Sequence, residues 1–314
     1  MNRRDFLRQL GLAGLAAMAG GGVMADDKPA GPLARRPYGE TGLQLSIVGF
    51  GGIVVMKSEQ SEANDAVAWA VDRGVNYFDV APSYGDAQDR LGPALKPYRD
   101  SVFLACKTGK RDAAGAREEL ENSLRVLQTD HFDLYQMHGL VKPEEVDKVF
   151  GPGGAMETFV AAREAGKVRY LGFSAHDMQS ALLALSKFHF DSLLFPFNAV
   201  CMENGGFGQQ VLDEAKRLGT ARLGLKAIAW TKVQPNTERK YPKCWYQPQD
   251  SPEQADLLLR YALDLPITAT VPPGDVRLMK LCVELASRYQ PLSDADRARL
   301  KQQIAGLEPI FKHA

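Results

Sequence analysis

The stretch Phe78-Asp79-Val80-Ala81-Pro82-Ser83-Tyr84-Gly85 decides how this chain is read. It ends an apolar run, residues 76–80, on an aspartate, then breaks into a loop with Pro and Gly that carries a tyrosine. Short apolar runs of the same kind recur at 45–50, 102–106, 132–137, 168–173, 192–197, 222–227 and 267–271. Between them lie stretches with helical spacing, at 61–73, 114–127, 155–165, 178–185, 208–218 and 254–263. In the first of these, Ala63, Ala66, Val67, Ala70 and Val71 share one helical face. Arg73-Gly74, Ala165-Gly166 and Leu218-Gly219 mark helix ends, because glycine adopts the left-handed conformation that stops a helix. Near-continuous apolar strands separated by helices require a parallel sheet buried on both faces. Eight such units predict a (β/α)8 TIM barrel. A doubly wound sheet would place a G-x-G-x-x-G turn after its first strand, whereas this chain has Gly49-Phe50-Gly51-Gly52-Ile53. Residues 293–310 read as a final amphipathic helix.

Composition agrees with a large globular core. The chain has 314 residues, 45% of them apolar and 24% charged, with 38 basic and 38 acidic side chains. Zero formal charge argues against a broad nucleic-acid surface. Four cysteines, Cys106, Cys201, Cys244 and Cys282, contain no C-x-x-C pair, so a thiolate metal site or iron–sulfur cluster is poorly supported. They either pair, in one of three ways, or remain four buried thiols.

The N-terminus is a different kind of sequence. Residues 1–25, MNRRDFLRQLGLAGLAAMAGGGVMA, begin with Arg3-Arg4 and continue into a weakly apolar Gly/Ala-rich stretch before Asp26-Asp27. This layout is that of a signal peptide, and twin arginine followed by x-Phe-Leu resembles the Tat type. The stretch is too short and glycine-rich for a stable membrane span. The domain reading is therefore a Tat-type signal at 1–25, a linker at 26–36 and a barrel at 37–314. It carries the expectation of export, with the mature chain periplasmic or extracytoplasmic and the Tat export machinery as partner. The alternative for residues 1–25 is an amphipathic helix, which Gly20-Gly21-Gly22 disfavours.

In a barrel of this kind the chemistry sits at the C-terminal ends of the strands. Those ends carry Asp79 and Tyr84 after the second strand, Lys107 after the third and His138 after the fourth. Each alone has an ordinary reading: a core histidine, an ion-paired lysine or a Schiff-base lysine, a loop-anchoring tyrosine. Together they form a proton-donor assembly. A phenol with pKa near 10 serves acid–base chemistry at neutrality only if its ionised form is stabilised, as a neighbouring ammonium held by a carboxylate does. A neutral imidazole can then orient a carbonyl.

These four residues, in the strings FDVAPSYG, LACKTGK and DLYQMHG, resemble the catalytic tetrad of the aldo/keto reductase family. The resemblance runs from residue 37 to about 290 and includes YGETGLQLSIVGFGG, EELENSLRVLQTDHFDLY and GKVRYLGFSAH. It implies Tyr84 as general acid/base, Lys107 and Asp79 as its tuners, and His138 as the residue that orients the carbonyl. It also implies hydride transfer between NADP(H), in preference to NAD(H), and a small-molecule aldehyde or ketone or the corresponding alcohol.

The cofactor half of the resemblance is altered. Ser174 matches the family's Ser-Asn pair but Ala175 replaces the Asn. Leu194 stands where many members have Gln, and Asn198 matches. At the eighth strand the segment is Val271-Pro272-Pro273-Gly274-Asp275-Val276-Arg277, and the family's Lys and Arg are not in register. Arg277 or Lys280 is the substitute for gripping a 2′-phosphate, unless both lie on a solvated helix face. Gly274 opening a helix would expose N–H groups to phosphate. Lys226 is a candidate pyrophosphate contact or an ion-pair partner. Trp230, Trp245 and Tyr246, in the loop after the seventh strand, and the Gly151-Pro152-Gly153-Gly154 loop after His138 are expected to shape the substrate pocket. The competing readings are a nucleotide-binding regulatory or accessory subunit without significant turnover, and a Lys107 Schiff-base lyase.

Overall fold

The structure is a computed structural model that describes residues 32–313; the expected signal segment and residues 26–31 lie outside them. Eight parallel strands form one sheet in sequential order: β1 (Phe50–Gly51), β2 (Tyr77–Asp79), β3 (Phe103–Thr108), β4 (Phe132–Leu140), β5 (Val168–Ala175), β6 (Ser192–Phe195), β7 (Ala221–Leu225) and β8 (Ala269–Val271). The sheet closes between its first and last strands. Val48 bridges Thr270, the Gly49 N–H donates to the Thr270 carbonyl at 2.9 Å, and the Thr270 N–H donates to the Ile47 carbonyl at 2.9 Å. The (β/α)8 reading is borne out.

Among the described residues, ten α-helices surround or extend the barrel: α1 (Gln60–Asp72), α2 (Ala87–Leu95), α3 (Ala113–Val126), α4 (Pro143–Phe150), α5 (Ala155–Glu164), α6 (Met178–Lys187), α7 (Gln209–Arg217), α8 (Pro252–Asp264), α9 (Val276–Ala286) and α10 (Asp294–Ile304). Among the described residues none is long and apolar enough to cross a membrane.

Alternation along each strand divides the core. Tyr77, Phe103, Ala105, Leu134, Leu223 and Ala269 point into the barrel, with Tyr38 and Leu45 plugging its N-terminal end. Phe78, Leu104, Cys106, Tyr135 and Met137 point outward against the helices. Burying each such large side chain contributes roughly 1.5–3 kcal/mol. The four cysteines are buried free thiols, as one of the two sequence readings holds.

The first strand differs from its expected span. Residues 45–50 split: Gln44–Ser46 pairs antiparallel with Arg35–Pro37, and only Phe50–Gly51 joins β2. Arg35 and Arg36, expected in a linker, are thus in a strand, and the Arg36 guanidinium donates to the carbonyls of Leu263 and Ile267 at 2.7 and 2.9 Å. The glycines on either side of Phe50–Gly51 serve packing. A Cβ on Gly49 would stand 2.5 Å from the Tyr77 ring, and one on Gly52 would stand 2.6 Å from Val80. The final helix also ends early, at Ile304. Gly306, with φ +75°, turns the chain, and residues 305–313 run back over the catalytic face. There the Thr231 hydroxyl donates to the Glu308 carbonyl at 2.9 Å, and the His313 N–H donates to the Gly205 carbonyl at 2.8 Å.

Candidate active site

The two-residue period that fills the barrel with Tyr77, Phe103 and Leu134 also aims the next inward positions at its C-terminal mouth. These are Asp79 on β2, Lys107 on β3, and Gln136 and His138 on β4. Lys107 is paired in register with Gln136, and Asp79 with Ala105. The Lys107 ammonium donates to Asp79 Oδ1, and both side chains are buried. Asp79 Oδ2 accepts from Gln136 Nε2 at 3.0 Å and from the Tyr77 hydroxyl at 3.2 Å. Burial alone would pull the Lys107 ammonium down, but the Asp79 carboxylate outweighs it and the pKa ends above the usual lysine value. The Lys107 ammonium is committed to Asp79, which weighs against the Lys107 Schiff-base reading.

Tyr84 sits in the loop after β2, with Lys107 Nζ 5.4 Å from its ring centre and its ring edge-on to His138 at 5.6 Å. Burial pushes the phenol above the ordinary tyrosine pKa, and Lys107 pulls it down by less. The pull expected from the sequence is present, but the phenol keeps its proton. Burial, with Lys107, Arg111 and Lys226 nearby, lowers the His138 pKa to about 3, so its imidazole is neutral. Ser83 Oγ lies 3.2 Å from its Nδ1. The backbone at His138 is clamped from both sides. Arg111 donates to the His138 and Gly139 carbonyls at 2.9 and 3.2 Å, and Ser174 Oγ accepts the Gly139 N–H at 2.7 Å. Sequence reasoning missed Gln136, Tyr77 and Arg111. Gln136 was within reach of the alternation rule, two residues before His138.

Asp79, Tyr84 and His138 open onto one cleft of about 240 Å³, whose far wall holds Lys226, His176, Trp245 and Tyr246. Lys226 is only 9% exposed and forms no ion pair among the described residues. Its Nζ lies 3.2 Å from His176 Nε2 and 5.7 Å from the ring centres of both Trp245 and Phe311. Burial lowers its pKa to about 7. The His176 imidazole is held well below the usual histidine value by burial and by Lys226. Phe311, from the returning C-terminal segment, stacks on His176 with ring centres 5.3 Å apart. Neither His176 nor Phe311 figured in the sequence reading, because they meet Lys226 only in the fold.

The other expected cofactor and pocket residues divide. Gly274 lines the cleft but does not open the following helix: Asp275 is its N-cap, accepting the Arg277 N–H, and puts a carboxylate where a phosphate was expected. Arg277 is mostly exposed and forks onto Asp275 at 2.9 and 3.0 Å. Lys280 lies over the Trp69 ring at 5.2 Å, on α1 outside the cleft. Asn198 is buried and spent locally: it accepts the Cys201 N–H at 3.0 Å and donates to Cys201 Sγ at 3.3 Å. Trp245 and Tyr246 line the cleft, whereas Trp230, in the ribbon Ala229–Lys232 that pairs with Tyr246–Pro248, does not. The Gly151–Gly154 turn packs on Arg111 and Ala113 instead of the cleft; a Cβ on Gly154 would stand 2.2 Å from the Val149 carbonyl oxygen.

Comparison with known proteins gives the same outline. The model of the aldo/keto reductase family matches residues 48–235. The aldo-keto reductase YhdN of Bacillus subtilis (strain 168) is 36% identical over 157 residues, which cover 43% of this chain and 45% of that protein. The chain spans about half the length of the first curated relatives it matches. Among solved structures, the aldo-keto reductase AKR11C1 of Bacillus halodurans in its holo form superposes with a TM-score of 0.69 at 23% identity, over 90% of this chain and 98% of that one. An aldo/keto reductase of Klebsiella pneumoniae in complex with NADP and acetate superposes with a TM-score of 0.62 at 21% identity, over 86% and 94%.

Proposed function

The chain is a member of the aldo/keto reductase family, and from that premise we propose that it is an NAD(P)-dependent oxidoreductase acting on an aldehyde or ketone, or on the corresponding alcohol. The observation that carries this reading is the buried Lys107–Asp79 pair set beneath a protonated Tyr84 and beside a neutral His138 in one cleft. The nicotinamide, when bound, supplies or accepts the hydride. Tyr84 donates its phenolic proton to the carbonyl oxygen in reduction and takes it back in oxidation. Lys107 stabilises the negative charge that develops on the phenolic oxygen, and Asp79, held by Gln136 and Tyr77, keeps that ammonium in place. His138 orients the same carbonyl oxygen without competing for its proton, because it is neutral throughout the physiological range.

The donor set on the far wall fits an anionic group. Lys226 is a buried amine without a carboxylate partner among the described residues, and Lys243 lines the same cleft. These two would face the dinucleotide's phosphates. We place NADP(H) ahead of NAD(H), with Arg277 turning from Asp275 to the 2′-phosphate; Lys280 lies over Trp69, outside the cleft. We extend the reading to the N-terminus: Arg3-Arg4-Asp5-Phe6-Leu7 supports a Tat-type signal over 1–25, export with the nucleotide bound, and a barrel at 37–314 that works outside the cytoplasm. The test is mass spectrometry of the nucleotide released when the purified protein is denatured, followed by turnover with aldehydes. Stoichiometric NADP and turnover are expected. Tight nucleotide binding with no turnover would favour an accessory subunit, and failure to bind either dinucleotide would overturn the reading. Nucleotide exchange faster than turnover would overturn bound export.

A further inference from the structure

Lys226 and Lys243 line the cleft and Lys107 lies buried beneath it, and their amines have different fates. Lys107 is committed to Asp79. Lys243 Nζ donates to the Val54 carbonyl at 2.7 Å. Lys226 has neither carboxylate nor carbonyl partner among the described residues; its one hydrogen-bond partner there is the imidazole of His176, at 3.2 Å. Its backbone is in the left-handed region, φ +63°, a conformation that is strained for a non-glycine residue. Such strain persists where the surroundings over-determine it, often at functional sites. Here it turns the side chain into the cleft that Tyr84 and His138 also line.

We propose that Lys226 is a second carbonyl-reactive residue of this cleft, whose side-chain amine condenses with aldehydes to form an imine. This rests on reading the cleft as an aldehyde site, and adds to hydride transfer a covalent step that needs no cofactor. The neutral amine attacks the carbonyl carbon and the C–N bond forms. The carbinolamine then loses the carbonyl oxygen as water, which carries off both amine hydrogens, leaving C=N. No oxidant or reductant is consumed. His176, in the tautomer with a bare Nε2, relays the first amine proton to the departing oxygen and ends neutral, as it began.

The groups that face Lys226 support a free amine near neutrality. They are His176 after β5, Cys201 after β6, Cys244 from the ribbon loop and His138 from β4; both histidines are held neutral and both thiols are pushed up by burial. Burial leaves the amine itself with a pKa of about 7, despite the Trp245 and Phe311 rings that favour its charged form. A surface lysine, near 10.4, is almost wholly protonated at that pH.

The test is borohydride trapping on the full chain with glyceraldehyde, read by peptide mass mapping across pH. The expected result is one dominant adduct, at Lys226, forming on the order of ten-fold or more faster at pH 7 than at any surface lysine. Its rate should rise with a midpoint near 7. Lys226→Met should abolish that adduct while circular dichroism stays unchanged. Labelling of Lys226 no faster than of exposed lysines, or a midpoint near the ordinary lysine value, overturns the proposal in the wild-type protein without recourse to the variant. Saturating NADPH separates this proposal from the redox reading. Protection supports Lys226 facing the phosphates. Fast labelling that NADPH does not slow sustains the imine and removes Lys226 from the nucleotide site. Fast labelling in a protein that binds no nucleotide sustains the imine and overturns the redox reading.

Discussion

Lys107 lies near the end of β3 and Lys226 follows β7, four strands apart and so across the barrel from one another. Both are buried in the same mouth, yet their chemistry diverges. Lys107 has a carboxylate against it and is driven further toward the ammonium. Lys226 has an imidazole and two aromatic rings and is driven toward the free amine. Burial acts on both in the same direction, so the partner decides the outcome. One side of the cleft is thus a prebuilt proton donor, complete without a ligand. The other is an under-satisfied cation that gains from an anion or reacts with an electrophile.

The comparison breaks most sharply on the proton-donor side. Tyr84→Phe should lower kcat by about 10²–10⁴-fold, the usual worth of a positioned acid. Nucleotide affinity, read by fluorescence titration, should stay within a few-fold; a parallel loss of binding would mean that the two sides are not separable. Next come the two lysines. Lys107→Met should destabilise the fold by about 3–5 kcal/mol in urea unfolding, because Asp79 is left buried without its cation. Lys226→Met should be neutral or stabilising, because it removes a buried amine with no carboxylate to strand. Equal losses in the two variants would end the distinction. Gln136→Leu, which takes one donor from Asp79 Oδ2, should cost roughly 1–3 kcal/mol and lower kcat with little change in KM.

The smallest effect is a pH slope. Lys226 titrates near 7 in the folded chain and near 10.4 when unfolded, so above pH 7 the unfolded state holds the extra proton. Stability should therefore rise with pH between 7 and about 9, by at most about 1.4 kcal/mol per unit. Above that window the buried thiols, whose pKa values are raised, act in the opposite sense. Lys226→Met should flatten the rise; an unchanged slope in urea midpoints would show that Lys226 is charged in the fold.

Much of the fold was legible because barrel strands are buried on both faces and read as bare apolar runs, bounded by helix-stopping glycines. The first strand was not. Residues 45–50 read as one run, but Pro37 and the turn at Gly39 and Gly42 divert its first half into a hairpin. The proton-donor side was legible too: Asp79, Lys107 and His138 are polar residues at the ends of apolar strands, where only a functional or paired group is tolerated. The nucleotide side was much less so. Arg277 and Lys280 stood in for the family's Lys and Arg after the eighth strand; in the fold Arg277 pairs with Asp275 and Lys280 lies over the Trp69 ring.

By itself the sequence determined the alternation, the order of eight strands and which polar side chains arrive at the barrel mouth, because period and polarity are local properties of the chain. Only the tertiary structure decided what each of them meets. Residues as distant in the chain as Lys226, His176 and Phe311 have no sequence relation that foretells their contact. Whether a buried amine is a fixed cation or a reactive base depends on the groups that distant segments place within a few ångströms of it.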